Sequence, residues 1–485
     1  MIRDIVSTAD AILGESIARG VASHHRRRLG RVGWSRVLDP SEGLWAEGDP
    51  APRAGCSLEV LVDGEEALPR IADEIVTAQS HVWLAGWQFG PSFALRRDGP
   101  PLVLRNLLAQ LAERIDVRVL VWAGAPVPVF RPSRRAVRAM RSELCDGTNI
   151  QCALDSHERP LHCHHEKVIV IDDRVAFVGG IDLTAESGDR FDSSDHIARA
   201  AVGWHDVSTR IEGPAVADVS SHFRMRWREV TGAMLQPPLA PAHELARAGS
   251  HTVQIVRTIP EKVYQAESRG DFRILESYLR ALRLARSFIY LENQFLWSPE
   301  IVTVLRDKLE NPPSDAFRIV LVLPGKPNSG GDDTRGALAE LIEADDGAGR
   351  LLACTIYARH GSLSDPVYVH AKVGIVDDRW LTIGSANLNE HSLFNDTEMN
   401  IVCQDPEIVI STRLRLWAEH LELDAAAVGA EARTVIDHHW RPTAEEQRAR
   451  LEAGRPLTHR LAQLPHLSRR SERLLGPLQG LLVDG

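Results

Sequence analysis

Short apolar runs alternate with segments of helical periodicity along most of the chain, and this alternation occurs twice. In the first half, a helical pattern leads into the apolar run 80–89 (SHVWLAGWQF), and the next apolar run is 117–122 (VRVLVW). In the second half the corresponding runs are 287–296 (SFIYLENQFL) and 318–323 (RIVLVL). Continuous apolar runs separated by helices are typical of buried strands in a sheet that helices cover on both faces. The pattern predicts an α/β fold.

The two halves also share a repeated block. Residues 167–184 (KVIVIDDRVAFVGGIDLT) align with 372–389 (KVGIVDDRWLTIGSANLN), with identical Asp-Asp-Arg, glycine and leucine positions. Such a repeat indicates two units of one topology. We expect two α/β/α sandwich lobes packed as a pseudo-twofold pair, with one active site at their interface. The predicted division is a lead-in with an amphipathic helix (1–57), a first lobe (58–245), a second lobe (246–427) and an Arg-rich tail (428–485), with a linker near 236–249.

Bulk composition narrows the class of protein. The chain has 485 residues, of which 44% are hydrophobic, enough to fill two cores. Its 66 acidic and 56 basic residues give a net charge of −10, which argues against a nucleic-acid binder. The six cysteines form no C-x-x-C pair, so we expect free thiols in a reducing cytosol and no zinc ribbon.

The N-terminal segment 1–20 has apolar residues at helical spacing, interrupted by acidic residues. This pattern predicts an amphipathic helix and not a secretory signal, and no apolar run is long enough to span a membrane. We therefore expect a cytoplasmic protein. The basic run 24–28 (HHRRR) leaves two interpretations open: a contact with anionic lipid at the inner face of the membrane, or a solvated helix end.

Each half carries a histidine, a lysine two residues later, and an aspartate after four further residues. If the motif is a strand, the histidine and the lysine share one face and the aspartate lies on the other. The Asp-Asp-Arg that closes each motif indicates a hairpin turn, so we expect the aspartates to be structural. The motif residues are His165, Lys167 and Asp172 in the first half, and His370, Lys372 and Asp377 in the second.

The return strand of each predicted hairpin ends in small residues, Gly179-Gly180 or Gly384-Ser385. Small residues let a phosphate approach backbone N–H groups closely. We therefore expect Gly180 and Ser385 to contribute to substrate binding.

Two facing His-Lys pairs can carry out a displacement at phosphorus. One neutral histidine attacks and one protonated histidine supplies a proton to the leaving oxygen, so the two must be held in opposite protonation states. Two ammonium groups neutralise the equatorial oxygens. This chemistry requires no metal and no cofactor. The run 162–165 (HCHH) resembles a metal cluster, but successive strand residues point to opposite faces and cannot all bind one ion, so no metal site is expected.

At these residues the sequence resembles the phospholipase D superfamily, and within it the eukaryotic-type phosphatidylcholine phospholipases D. The resemblance extends over roughly residues 58–422. The stretch 184–192 (TAESGDRFD) departs from the family's Gly-Arg-Trp-Asp pattern, which leaves the headgroup preference open. The blocks that carry the resemblance are 164–183 (HHEKVIVIDDRVAFVGGIDL), 204–227 (WHDVSTRIEGPAVADVSSHFRMRW), 289–295 (IYLENQF) and 369–402 (VHAKVGIVDDRWLTIGSANLNEHSLFNDTEMNIV).

The resemblance implies roles for the two histidines and for a carboxylate partner of each. His165 would be the nucleophile that forms a phosphatidyl-histidine. His370 would protonate the departing alcohol and then, as a base, activate water or an acceptor alcohol. Glu398 matches the partner of His165, and Asp206 matches the partner of His370, so each lobe would complete the other's half-site.

The resemblance also implies how phosphate is bound. Lys167, Lys372 and Asn387 match the family's phosphate-binding positions. Asp182 stands at the position equivalent to Asn387 in the first half, and we expect it not to contact phosphate.

The function implied by the resemblance is a phospholipase D acting at a membrane surface. It would hydrolyse glycerophospholipids, phosphatidylcholine or phosphatidylethanolamine, to phosphatidate and free headgroup, and transfer phosphatidyl groups to alcohols. One alternative is a cardiolipin-synthase-like phosphatidyltransferase, against which the absence of N-terminal spans weighs. Another is a nuclease, against which the net charge weighs. We expect a monomer without a nucleic-acid partner.

Overall fold

The computed structural model describes residues 19–96, 99–126, 131–160, 162–184, 204–237, 246–325 and 331–465. Several sequence predictions fall wholly or partly outside these ranges. They are most of the amphipathic helix over 1–20, the departure at 184–192, the linker near 236–249 and the end of the Arg-rich tail.

The first half is built around a mixed sheet in the order β1–β10–β8–β7–β2–β5–β6, where β2, β5 and β6 are parallel neighbours. A separate hairpin pairs β3 with β4. The strands are β1 (Arg53–Val62), β2 (His81–Gly86), β3 (Ala94–Arg96), β4 (Leu102–Val103), β5 (Asp116–Trp122), β6 (Gln151–Asp155), β7 (Val168–Ile171), β8 (Val175–Gly179), β9 (Trp204–His205) and β10 (Val207–Glu212).

The second half repeats this topology, in the order β11–β20–β19–β18–β13–β14–β15, with β21 on the outer edge. The strands are β11 (His251–Ile259), β12 (Asp271–Phe272), β13 (Phe288–Glu292), β14 (Arg318–Val322), β15 (Leu351–His360), β16 (Leu363–Pro366), β17 (Tyr368–Val369), β18 (Val373–Val376), β19 (Trp380–Gly384), β20 (Glu398–Cys403) and β21 (Leu461–Gln463).

The two sheets join edge to edge. Strands β1 and β11 pair antiparallel, with Arg53 opposite Val253 and Ala54 opposite Thr252. The described strands of both halves therefore belong to one continuous 17-stranded sheet, apart from two small two-stranded pairings. The α/β class and the repeated topology predicted from the apolar runs are confirmed, whereas the exact lobe boundaries stay predictions.

Helices cover the sheet, and central strands such as β2, β13 and β14 are therefore buried at every position. Local sequence explains where helices begin: the Ser133 side chain accepts a hydrogen bond from Ala136 N at 3.3 Å, and the Asp405 side chain accepts one from Glu407 N at 3.0 Å. The helices are α1 (through 19–32), α2 (Asp63–Val76), α3 (Leu104–Ala112), α4 (Arg134–Cys145), α5 (Val216–Thr231), α6 (Arg273–Leu284), α7 (Pro299–Glu310), α8 (Gly331–Asp345), α9 (Pro406–Leu421), α10 (Ala432–Val435) and α11 (Arg441–Glu452).

Short 3-10 turns lie at Ser35–Leu38 and Ala427–Gly429, and π-helical turns at His391–Asn395 and Ile436–Trp440. The second π-helical turn lies in the predicted Arg-rich tail. Trp440 is fully buried, and its ring lies 5.7 Å from that of Trp417 in α9. The described part of the tail thus packs onto the second half through buried apolar side chains such as Trp440.

One hydrophobic core runs through the seam between the halves. It contains Val178 and Phe223 of the first half together with Ile255, Ile383 and Trp417 of the second. Because apolar side chains of both halves are buried in the same cluster, the seam is a packed interior and fixes the two halves relative to each other.

The turns that close the two motifs have the same structure. Both aspartates of each turn, at 172–173 and 377–378, have φ between 51° and 56°, a region that aspartate tolerates better than most residues. The Asp172 carboxylate accepts hydrogen bonds from the backbone N–H groups of 79–81 at 2.7–2.9 Å. Asp377 accepts the equivalent bonds from 286–288 at 2.6–2.8 Å. Asp172 and Asp377 therefore anchor the start of β2 and of β13.

The basic run 24–28 is only partly solvated. His25 and Arg28 are buried against the second half, where His25 Nδ1 lies 2.9 Å from Glu300 Oε1 and Arg28 pairs with Glu261 at 2.6 Å. The interpretation of this run as a solvated helix end is therefore wrong for these two residues, because α1 docks through them. Among the described helices, none combines the length and the apolar character that crossing a membrane requires.

Candidate active site

The histidine and lysine of each motif lie just before a strand and not within it. β7 begins at Val168 and β18 at Val373, one residue after Lys167 and Lys372. This corrects the expectation that both belong to the motif strand. The reason is that the backbone at these positions pairs with the opposite half: β17 runs parallel to β9, and His164 bridges to Thr397.

The first half-site is completed by the second half of the chain. The N–H groups of His165 and Glu166 both donate to the Thr397 carbonyl, at 2.9 and 3.0 Å. The next residue is Glu398, whose Oε1 lies 2.9 Å from His165 Nδ1. The Glu398 carboxylate also accepts hydrogen bonds from Ser385 Oγ and, at 2.6 Å, from Ser392 Oγ. Three donors therefore converge on this buried carboxylate.

The second half-site has the same construction with the halves exchanged. The N–H groups of His370 and Ala371 both donate to the His205 carbonyl, at 2.8 and 3.0 Å. The next residue is Asp206, whose Oδ2 lies 2.7 Å from His370 Nδ1. The Asp206 carboxylate also accepts a hydrogen bond from Val207 N at 2.8 Å. Each histidine is thus oriented by a carboxylate from the other repeat.

The two half-sites face each other. The ring centroids of His165 and His370 are 6.5 Å apart, with an angle of 66° between the rings. Reacting atoms approach to about 3–3.5 Å before bond formation, so a gap of this size accommodates one phosphorus centre between two histidines. The geometry fits a displacement in which one ring attacks and the other faces the leaving oxygen.

The two lysines are buried beside the histidines. Lys167 Nζ lies 3.1 Å from Asp182 Oδ2 and donates to the His165 carbonyl at 2.8 Å. Lys372 Nζ donates to Gln294 Oε1 at 3.2 Å and to the His370 carbonyl. Burial lowers the pKa of Lys372 to about 7, although Asp206 opposes the shift. The two lysines therefore place two amino groups beside the histidines in the buried site.

Asp182 and Asn387 occupy equivalent positions but have different contacts. Asp182 pairs with Lys167, whereas both side-chain polar atoms of the fully buried Asn387 have no hydrogen-bond partner among the residues that the structure describes. A buried amide normally has hydrogen-bond partners, so Asn387 is a candidate for a group that binds a ligand oxygen.

Gly180 and Ser385 lie against the carboxylates that orient the histidines. The Gly180 N–H donates to the Val207 carbonyl at 3.0 Å, and the Ser385 N–H donates to the Met399 carbonyl at 3.1 Å. Both amides are thus already engaged. A Cβ on Gly180 would lie 2.1 Å from Asp206 Oδ1, so glycine is required there to admit the carboxylate. The Ser385 hydroxyl donates to Glu398. The contribution of Gly180 and Ser385 to substrate binding stays a prediction.

Burial acts on the acid–base pairs of both half-sites. Burial, with the charges of Lys372 and Lys167, lowers the pKa of His370 well below its usual range. Burial raises the pKa of Asp206 to about 7, against the effect of Lys372. Burial also raises the pKa of Glu398, although Lys167, Ser385 and Ser392 oppose that shift. The proton of the His370–Asp206 pair is therefore held on Asp206 near neutral pH.

A second layer of buried charge lies behind each half-site, and the sequence analysis missed it. Behind His165, the carboxylate of Glu166 pairs with Arg226 and lies 2.7 Å from His222 Nε2. Behind Asp206, His205 lies between Asp63 at 2.9 Å and Glu292 at 2.8 Å. The available signal was a charged residue inside an otherwise apolar run, as at Glu292 in IYLENQF.

Comparisons with known proteins agree with this arrangement. Residues 199–308 match a family model described as "Phospholipase D", and residues 278–418 match one described as "Cardiolipin synthase, PLD-like domain". Phospholipase D A of Dictyostelium discoideum is 25% identical over 459 residues, an alignment that covers 76% of this chain and 36% of that protein. Phospholipase D alpha 1 of Oryza sativa subsp. japonica is 25% identical over 528 residues, covering 74% of this chain and 64% of that protein.

The chain thus spans between about a third and two thirds of the length of these curated relatives. The fold is similar to the crystal structure of a phosphatidylserine synthase from Haemophilus influenzae Rd KW20, with a TM-score of 0.52 and 13% identity. That superposition covers 74% of this chain and 84% of the other. At this identity the likeness concerns the fold alone.

Proposed function

We propose that this chain, which belongs to the phospholipase D superfamily, hydrolyses glycerophospholipids to phosphatidate and free headgroup through a covalent phosphohistidine. The observation that carries the proposal is the crossed pairing of the histidines, His165 with Glu398 and His370 with Asp206, across one site that holds two lysines. The substrates are phosphatidylcholine or phosphatidylethanolamine at a membrane surface, and the acceptor is water or an alcohol.

In the first step, His165 attacks phosphorus and the headgroup alcohol leaves. Glu398 accepts from three donors, which suits an oriented His165 whose other ring nitrogen is available as the nucleophile. Lys167, Lys372 and Asn387 bind the non-bridging oxygens, whose charge must be held through the transition state.

The proton for the leaving alcohol comes from the His370–Asp206 pair. In the free site, burial and then the charges of the nearby lysines lower the pKa of His370 and disfavour its charged form. A bound phosphodiester brings a negative charge that offsets the lysines, so the proton can move across the 2.7 Å contact from Asp206 to His370. His370 then donates this proton to the leaving oxygen.

In the second step the roles reverse. His370, now neutral, takes a proton from water or an alcohol, whose oxygen attacks the phosphorus and breaks the bond to His165. The chemistry of these steps uses the chain's own side chains and routes no step through a metal or a cofactor.

The test uses purified protein with phosphatidylcholine or phosphatidylethanolamine vesicles, with and without ethanol. Phosphatidate should form in water, and phosphatidylethanol should appear at its expense when ethanol is present, because both acceptors compete for one intermediate. Configuration at phosphorus should be retained, since two displacements each invert it. Inversion, or turnover by a His165→Asn protein at the wild-type rate, would rule out the covalent route.

A second candidate is a phosphatidyltransferase with two lipid substrates. It is supported by the match of residues 278–418 to a model described as "Cardiolipin synthase, PLD-like domain". Vesicles of phosphatidylglycerol alone separate the candidates: a phospholipase D releases phosphatidate, whereas the transferase forms cardiolipin and glycerol. An oligonucleotide in the same buffer is expected to stay intact.

A further inference from the structure

One group of potential metal ligands lies beside the active site and takes no part in the proposed mechanism. It consists of His162, His391 and Asp396, whose ligand atoms all lie within 4.8 Å of one another. The Nδ1 atoms of the two histidines are 2.9 Å apart, and His162 Nδ1 lies 3.5 Å from Asp396 Oδ1. The group joins the two halves of the chain, because His162 precedes β7 and the other two residues precede β20.

Backbone geometry brings these side chains together. His391 opens the π-helical turn His391–Asn395, and the Asp396 N–H donates to the His391 carbonyl at 2.8 Å. This wide turn places His391 and Asp396 close to each other, and π-helical turns are frequent at functional sites. His162 reaches them because the Cys163 N–H donates to Asp396 Oδ1 at 2.9 Å and Thr397 N donates to the Cys163 carbonyl at 3.2 Å.

The direct hydrogen bond between the histidines leaves polar atoms unsatisfied. Among the described residues, His391 Nε2 and Asp396 Oδ2 are both buried without a hydrogen-bond partner. The two Nδ1 atoms that face each other can share only one proton in neutral rings, whereas a cation between them would be bound by the lone pairs of both. A cation bound by Asp396 would also offset the charge of a buried carboxylate whose Oδ2 has no donor in the described part of the chain.

A second group of potential ligands consists of His205, Glu292 and His420. It is a poorer candidate for an ion than the first group. Both ring nitrogens of His205 are already committed to carboxylates, at 2.9 Å from Asp63 and 2.8 Å from Glu292. All three side chains are also fully buried. His162, in contrast, is 15% exposed and gives an ion a path into its cluster.

We propose that His162, His391 and Asp396 bind one divalent transition-metal ion, of which Zn²⁺ is the reference case. Tetrahedral zinc with bonds of about 2.0–2.1 Å places neighbouring ligand atoms about 3.3 Å apart, and the observed 2.9 and 3.5 Å lie on either side of that value. Two imidazoles and one carboxylate are a common ligand set for such ions, with water completing the coordination.

The role of this ion is to hold the two halves together next to the first half-site. Asp396 stands two residues before Glu398 in the chain, and His162 three residues before His165. The ion would therefore fix the pairing of residues 163–166 with Thr397, which aligns Glu398 with His165. His164 and His165 take no part in the cluster, since His164 Nε2 lies 3.2 Å from Asp155 and His165 faces Glu398.

The test starts from the full-length protein stripped of metal with a chelator and dialysed. Titration with Zn²⁺ should give one ion per chain and raise the melting temperature, and Co²⁺ should give the visible absorption of a low-coordinate nitrogen and oxygen site. His391→Ala and Asp396→Asn should each weaken Zn²⁺ binding by at least about 100-fold. If either variant fails to fold, His162→Gln, at a partly exposed position, provides the same comparison.

The matched control is a His438→Ala/His439→Ala double variant. It removes two consecutive histidines from the π-helical turn Ile436–Trp440, which is not part of the cluster. It should bind Zn²⁺ as the wild type does. Absence of stoichiometric binding, or unchanged binding in the cluster variants, would overturn the proposal. Binding lost only in the control variant would indicate an adventitious ion only and would overturn it as well.

Discussion

The two half-sites share their hydrogen-bond geometry but differ in the charge around it. In each, two consecutive N–H groups donate to the carbonyl that precedes the orienting carboxylate. The residue after the histidine is Glu166 in the first half-site and Ala371 in the second. Besides its contact with the histidine, Glu398 accepts hydrogen bonds from two serine hydroxyls, whereas Asp206 accepts one from a backbone N–H. The repeat thus keeps the positions of the groups and changes the charges and hydrogen-bond donors around them, a difference that suits two histidines with different tasks.

The second layer shows the same divergence. Arg224 and Arg413 are equivalent, since each pairs with the second aspartate of its motif turn, Asp173 or Asp378. Two residues further along each helix, Arg226 is buried against Glu166 and Asp155, whereas Arg415 lies at the surface and pairs with Glu66. The arginine at this helix position is therefore buried with two carboxylates behind the half-site that we assign to the nucleophile, and lies at the surface behind the other.

The largest effect is expected when either histidine is replaced. His165→Asn and His370→Asn should each reduce hydrolysis of phosphatidylcholine by at least about 1000-fold, because nucleophile and acid act as one unit. The comparison predicts one difference: His370→Asn should still accumulate a phosphoenzyme from a substrate with an activated leaving group, and His165→Asn should not. Mass spectrometry of the intact protein measures this adduct. A trapped adduct in His165→Asn would exchange the two roles.

Replacing the two equivalent arginines, Arg226 and Arg415, should lower the stability of the protein by very different amounts. Arg226→Ala removes the arginine that neutralises two buried carboxylates and should lower the free energy of unfolding by about 3–5 kcal/mol. Its matched control, Arg415→Ala, removes a surface pair, at which Arg415 is 43% exposed, and should cost less than about 1 kcal/mol. Urea denaturation of both variants gives the comparison. Equal losses of unfolding free energy in the two variants would show that the buried ion pairs of Arg226 stabilise the protein no more than a surface pair does.

Variants of the two orienting carboxylates, Asp206 and Glu398, should respond differently to a better leaving group. Asp206→Asn should slow hydrolysis of phosphatidylcholine about 100-fold and that of a p-nitrophenyl phosphodiester much less, because p-nitrophenolate leaves without a proton. Glu398→Gln should slow both substrates alike, because it impairs His165 as nucleophile. Steady-state rates of both variants on both substrates measure this difference. The opposite result would exchange the roles of the two histidines. In that case the p-nitrophenyl substrate would restore the rate of Glu398→Gln, and Asp206→Asn would be equally slow on both substrates.

The smallest expected effect is on the pH profile. The pKa of Asp206 is raised to about 7 and that of Lys372 is lowered to about 7, so both groups lose a proton as the pH rises through that value. Loss of the proton removes the acid in one case and a phosphate-binding charge in the other. We therefore expect kcat/KM for phosphatidylcholine to fall above about pH 7, by about tenfold per pH unit for each proton lost.

Two further profiles separate the groups that cause this fall. A p-nitrophenyl phosphodiester should show the shallower fall that Lys372 alone produces, and Asp206→Asn should show the same shallow fall on phosphatidylcholine. If kcat/KM on phosphatidylcholine were constant across pH 7, neither group would control the free enzyme.

The pattern of apolar runs was sufficient for the fold. The runs at 80–89 and 117–122 became β2 and β5, and those at 287–296 and 318–323 became β13 and β14. Periodicity works here because central strands of a covered sheet are buried at every position, which leaves a strong local signal. It says less about the described part of the tail, where apolar residues such as Trp440 are widely spaced and are buried by contacts with α9, which lies earlier in the chain.

The motif spacing by itself determined which histidines and lysines belong together, since it is repeated in both halves. Only the tertiary structure decided what surrounds them. Gly180 and Ser385 lie against the orienting carboxylates, because the antiparallel ladder engages their N–H groups and brings Asp206 and Glu398 close to them. Contacts between residues as distant in the chain as His165 and Glu398 leave no mark on local periodicity, because they depend on how two separate sheets join through β1 and β11.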